Sequence, residues 1–193
     1  MRGLAITSAV IVATGFAMPT NSQEPEPWQL AQATEVWEPV PPRITFDENG
    51  IPSDATVLFD GTDLSAWESA SDGSAAPWNI SGDMLVTDPG SGDIRTRQEF
   101  CDVQLHIEWQ APAEEDMEGP EGQGRGNSGV FFQELYEVQV LDSHGGETYP
   151  NGQAASVYKQ HIPLVNATKP IDQWNVYDII YSAPDFNQSG GLT

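Results

Sequence analysis

The sequence predicts an all-β domain, an antiparallel sandwich or jelly roll, on three observations. Short runs rich in β-branched and aromatic residues recur along the chain, residues 103–110 alternate apolar with polar side chains, and no long window keeps a helical period. In that alternating run Val103, Leu105, Ile107 and Trp109 take one face and Gln104, His106, Glu108 and Gln110 the other. Such runs bury one face of a sheet and wet the other.

The elements follow in order. Residues 1–22 carry a positive charge at Arg2, an apolar run and then small polar residues, the outline of a secretory signal peptide. Export to the periplasm or the medium is therefore expected, with no membrane association once the signal is removed. Residues 23–54 hold Pro25, Pro27, Pro39, Pro41, Pro42 and Pro52 among acidic residues, so an extended arm is expected, with Trp28 and Trp37 lying on a surface. The domain proper spans residues 55–193. Ser81-Gly82-Asp83 sits between two short apolar runs and reads as a hairpin turn; residues 94–100 form a further strand. Residues 111–124 read as an acidic loop, and residues 153–160 and 173–181 as strands.

Between these lies Arg125-Gly126-Asn127-Ser128-Gly129, a turn that leads into strands at 130–133 and 136–142. Period two sends Tyr136, Val138 and Val140 to one face of the second strand, and Glu137, Gln139 and Leu141 to the other. A bulge near Leu141 would bring Asp142 onto the Glu137 face; without it, Asp142 ends the strand.

Composition narrows the function. With 7 Lys and Arg against 29 Asp and Glu, the formal net charge is −22, which repels nucleic acid and suits a neutral ligand or a cation. The single cysteine excludes an intramolecular disulfide, so the core alone, with or without a metal, must hold the fold.

Four ordered motifs resemble the 3-keto-disaccharide hydrolase family over roughly residues 52–186: Leu58-Phe59-Asp60-Gly61-Thr62, Gly124-Arg125-Gly126-Asn127-Ser128-Gly129, Tyr136-Glu137-Val138-Gln139-Val140-Leu141-Asp142 and Trp174-Asn175-Val176-Tyr177-Asp178. The resemblance implies a concanavalin-like jelly roll of two curved antiparallel sheets with a sugar-accommodating face. The family's sheet continues beyond the 174–180 strand, so the domain is expected to be incomplete at its C-terminal end and to leave an open edge. Its Glu137-x-Gln139-x-x-Asp142 strand is similar to the Glu-x-Asp-x-x-Glu strand of jelly-roll glucanases. A retaining glycosidase needs two carboxyl groups about 5–5.5 Å apart, and Gln139 cannot ionise, so an ordinary glucanase is not expected. The implied reaction is instead cleavage of a 3-keto-glycoside, in which the C3 carbonyl acidifies the C2 proton and a base removes it.

The resemblance makes Glu137, Asp142 and His144 the candidate catalytic residues. Arg125, Asn127, Gln139, Glu108, His106 and Trp174 are candidate carbohydrate contacts, and Glu137, Gln139 and His144 candidate ligands for a divalent metal ion. Each has a structural alternative: Asn127 as a turn former, His106 and Glu108 as the wet side of a sheet, Trp174 as core. The stretch Ser156-Val157-Tyr158-Lys159 departs from the family's small residues near the groove. A non-catalytic carbohydrate-binding module of the same fold is the second function class.

Overall fold

The computed structural model describes residues 24–113 and 122–192, which divide between two units, the first ending at Val57 and the second beginning at Leu58. The proposed signal peptide lies outside the described residues. In the first unit the extended arm is corrected by a short helix, α1 (Pro27–Gln32). Pro27 stands at its first turn, where its missing N–H costs nothing, and Gln29 closes a capping box by accepting from the Glu26 backbone N–H at 2.9 Å. Trp28 and Trp37 are 60% and 78% exposed, where cover was expected.

The second unit is all β apart from two 3-10 turns, Gly122–Gly124 and Pro150–Gly152, among the described residues. Its strands are β1 (Trp67–Ser69), β2 (Asn79–Ser81), β3 (Met84–Val86), β4 (Ile94–Thr96), β5 (Val103–Trp109), β6 (Ser128–Phe132), β7 (Tyr136–Val140) and β8 (Asn175–Tyr181). They pair antiparallel as β1–β4, β2–β3, β5–β8 and β6–β7. The β2–β3 turn falls at Gly82, whose φ of +64° is the left-handed conformation such a hairpin demands at its first central residue. The strand expected over 94–100 stops at Thr96, whose hydroxyl turns back to the Gln98 carbonyl at 2.8 Å.

The longest ladder runs from Val103 opposite Tyr181 to Trp109 opposite Asn175, and its alternating burial follows the predicted period. Onto its inner face packs the apolar face of the β6–β7 hairpin. Phe132 stacks on Tyr181 at 4.6 Å between ring centroids and Tyr136 meets the same ring at 6.3 Å. Further along, Trp109, Ala111, Leu141 and Ala154 form the buried cluster, with Val140 and Tyr177 against it. These contacts make the two layers of an antiparallel sandwich. Tyr177 pins them: its hydroxyl donates to the Gln139 carbonyl at 2.7 Å and accepts from the Ala155 N–H at 2.9 Å, and burial pushes its pKa up to about 12.

The expected 153–160 strand is not regular. Ala155 and Lys159 have φ of +65° and +58°, which interrupts extended backbone. What survives are two isolated antiparallel bridges from Val157, one to His161 and one to Val138, the latter closed by Gln139 N–H to the Ser156 carbonyl at 3.0 Å and Tyr158 N–H to the Glu137 carbonyl at 2.9 Å. Both edges of β7 are thereby occupied, one by β6 and one by residues 156–158.

Candidate active site

With the apolar side of β7 against β8, Glu137 and Gln139 project from the opposite side of the sheet, as period two requires. The register sets their neighbours. Across the sheet Phe131, Glu137 and Tyr158 form one row, and Gly129, Gln139 and Ser156 the next. Opposite residues in such rows hold their Cβ atoms about 4.5–5.5 Å apart. Phe131 is 55% exposed, an open aromatic surface beside a carboxylate.

Glu137 leans over Gly129, and only a glycine permits it: a Cβ there would lie 2.7 Å from the Glu137 Cγ and 2.9 Å from its Cδ. Among the described residues its carboxylate has neither an ion-pair partner nor a hydrogen bond. Partial burial, and then the charge of Asp93, raise its pKa above the ordinary glutamate value. A half-buried, unpaired carboxylate with a raised pKa has the character of a general base. Gly129→Ala would displace this carboxylate while leaving the strand extended. A displacement of about 1 Å at a reacting group costs on the order of 10²-fold, so a comparable fall in turnover with little change in melting temperature is expected.

Gln139 does a different job. Its side chain is 1% exposed; its Nε2 donates to Asn127 Oδ1 at 2.7 Å and to the Ser128 and Val140 carbonyls at 2.8 Å each. Its Oε1 accepts from Gln123 Nε2 at 3.3 Å. The amide is spent inside the fold and ties the Asn127 turn to β7, which agrees with the turn-forming alternative for Asn127.

Asp142 is 2% exposed and holds Arg125, which donates from Nε at 3.1 Å and Nη2 at 2.8 Å. The pair is reinforced by the Asp142 N–H donating to the Arg125 carbonyl at 3.0 Å. Both residues are engaged with each other as an anchor beneath the loop carrying His144. His144 is exposed, and its Nδ1 lies 2.9 Å from the Thr168 carbonyl. A carbonyl only accepts, so Nδ1–H donates to it, and Nε2 makes no hydrogen bond among the described residues.

His106 and Glu108 lie on the far side of the β5–β8 ladder. Trp109 and Tyr177 face β7, and His106 alternates away from them to pair with Asp178 at 2.7 Å in the open. They are the wet side of the sheet. Trp174 is 41% exposed and donates nothing to the buried cluster.

The expected metal set does not fit this arrangement. The Gln139 side chain is 1% exposed and its Oε1 points to Gln123, so it presents no open ligand beside Glu137, and among the described residues no group of three or more His, Cys, Asp or Glu side chains is placed to hold a cation. No helix among the described residues is long and apolar enough to cross a membrane.

Two tyrosines stand next to Glu137: Tyr158, in the stretch that the sequence marks as departing from the family near the groove, and Tyr149, which the sequence does not single out. Tyr149 and Tyr158 join their hydroxyls at 2.7 Å, and the Lys159 ammonium lies 5.9 Å and 5.3 Å from the two ring centroids. The Tyr149 ring lies against Gly152, where a Cβ would come within 2.8 Å of its Cδ2. Its hydroxyl pKa is pushed up to about 12, first by the bond to Tyr158, with the charge of Glu137 also contributing.

An antiparallel sandwich presenting an unpaired carboxylate beside an exposed aromatic ring has the layout of a sugar-handling protein. Residues 54–188 match the model of the 3-keto-alpha-glucoside-1,2-lyase-like domain, and the chain belongs to that family, the 3-keto-disaccharide hydrolases. It is also similar to a crystal structure from Parabacteroides distasonis provisionally assigned as a glycosyl hydrolase, at 51% identity and a TM-score of 0.76, covering 83% of this chain and 69% of the other. A second such protein of that organism superposes at a TM-score of 0.48 with 17% identity, over 66% of this chain and 63% of its own, too distant to bear on the site. No curated protein matches the chain.

Proposed function

We propose that the protein cleaves the glycosidic bond of 3-keto-glycosides, 3-keto-disaccharides among them, by abstraction of the C2 proton, with Glu137 as the base. The observation that carries this reading is the Glu137 carboxylate, half-buried and unpaired among the described residues over Gly129. Family membership supports the substrate class.

In the first step the C2–H bond breaks, its proton passes to Glu137, and the electron pair forms C2=C3 as the C3 carbonyl becomes an oxyanion. The C3 carbonyl then re-forms, C1=C2 appears and the C1–O bond breaks, the departing oxygen taking up the proton that Glu137 accepted from C2. Water adds back across C1=C2 and completes hydrolysis. His144, whose Nε2 makes no hydrogen bond among the described residues, is the imidazole just beyond the Asp142 anchor and the other candidate for moving a proton in these steps. The proposal includes export, with the mature chain beginning near Gln23.

Turnover of 3-keto-sucrose and 3-keto-trehalose, with the unoxidised sugars as controls, tests the reading. Release of the free sugars from the keto forms alone is expected. Binding of the keto-sugars without turnover would favour a lectin-like module instead. A chelator arm addresses the cation separately: because Gln139 is spent within the fold, turnover is expected to survive chelation, and its loss would return a metal to the site.

A further inference from the structure

We propose that the Tyr149–Tyr158 hydroxyl pair donates the hydrogen bond that receives negative charge on the substrate's C3 oxygen, with Tyr158 as the residue touching it; this rests on the reading of Glu137 as the base.

The register places Tyr158 beside Glu137. Val157 bridges Val138, and the Tyr158 N–H donates to the Glu137 carbonyl at 2.9 Å, so the two side chains leave neighbouring strands on the same face. A substrate carbon held by Glu137 therefore has the tyrosine hydroxyls to one side and Phe131 to the other. The proton count supports a donor role. Two hydroxyls joined at 2.7 Å share one proton, and neither makes another hydrogen bond among the described residues, so one hydroxyl proton is left for a ligand. Lys159, 5.3 Å from the Tyr158 ring centroid, puts positive charge beside that donor.

The chemistry calls for such a group. Removing the C2 proton places a full charge on the C3 oxygen, and the Arg125 guanidinium is committed to Asp142. In the described site the tyrosine pair is the neutral donor adjacent to the base, and prepositioned donors aimed at developing charge are a large catalytic term. Glu137 takes the proton, the electron pair moves to C2=C3, and the tyrosine hydroxyl holds the oxyanion without transferring its own proton.

The test compares wild type, Glu137→Gln, Tyr158→Phe and Tyr149→Phe on a 3-keto-glycoside, measuring kcat and KM together with exchange of the C2 hydrogen in deuterated water. The phenylalanine variants keep the rings, and thermal melting checks that they fold. Tyr158→Phe is expected to lower kcat by about 10²-fold with KM little changed, and to slow C2 exchange in parallel. Tyr149→Phe, which removes only the partner of the donor, should act in the same direction and more weakly. Wild-type kcat and exchange in a folded Tyr158→Phe, while Glu137→Gln is inactive, would overturn the tyrosine role and leave the base in place. A loss confined to KM would reduce the pair to a binding contact and also overturn it. No turnover by wild type would remove the base reading and this inference together.

Discussion

Glu137→Gln is expected to lose about 10²–10⁴-fold in turnover of a 3-keto-glycoside, the range for removing a positioned general base. Glutamine keeps the volume over Gly129, so the loss isolates the proton acceptor from the packing. Steady-state rates of the purified variant against wild type decide the matter, and activity within a few-fold of wild type would remove Glu137 from the chemistry. A pH profile sharpens the result. The base must be ionised to act, so activity falls as pH drops through the Glu137 pKa. That pKa is raised by burial and by Asp93, which puts the acid limb above the range of an ordinary glutamate. The sign for stability is opposite. A carboxyl whose folded-state pKa is raised destabilises the fold once ionised, so its contribution is lost as pH rises through that value. Glu137→Gln should therefore melt no lower than wild type at neutral pH, and higher if the burial cost dominates, as expected where stability is given up for a functional group.

How far the sequence exposed this site depends on which interactions are local. Period two along β7 was enough to put Glu137 and Gln139 together and opposite Tyr136 and Val140, because strand geometry fixes side-chain alternation without reference to the rest of the chain. The turn at Arg125 to Gly129 was legible from its glycines and Asn127 for the same reason. Which side of a ladder faces inward is not a local property. The alternation of residues 103–109 holds in the structure, yet only the packing of Trp109 and Tyr177 against Val140 and Leu141 shows that His106 and Glu108 point away. The sequence marks Tyr158 only as a departure from the family near the groove and Tyr149 not at all, because their place beside Glu137 comes from one bridge, flanked by the left-handed Ala155 and Lys159, which break the periodic signal that marks a strand. Gln139 looked like a ligand because nothing in the pattern announces that Gln123, Asn127 and two carbonyls will saturate its amide.

Arg125→Ala is expected to be the most destabilising single change in the site, by about 3–5 kcal/mol, the cost of leaving a buried charge without its partner. The Asp142 side chain is 2% exposed and that of Arg125 20%, so neither can recover its lost partner from bulk water without opening the loop. Asp142 Oδ2 takes both guanidinium bonds, and among the described residues Oδ1 has only the long bond from the His144 N–H at 3.3 Å. Removing the guanidinium leaves Oδ2 bare next to Leu141, which is 1% exposed in the buried cluster. Gly146, whose Cβ position lies 3.5 Å from the Arg125 Cδ, loses its cover in the same step, and the segment that carries His144 loosens with it. Urea unfolding of Arg125→Ala should show the loss directly. Because the penalty is an orphaned charge, the double variant Arg125→Met with Asp142→Leu should recover much of it, as hydrophobic replacements of buried ion pairs often do. A double variant as unstable as Arg125→Ala would instead show that the guanidinium stem and the Asp142 backbone contact to the Arg125 carbonyl, more than charge pairing, hold the turn against β7.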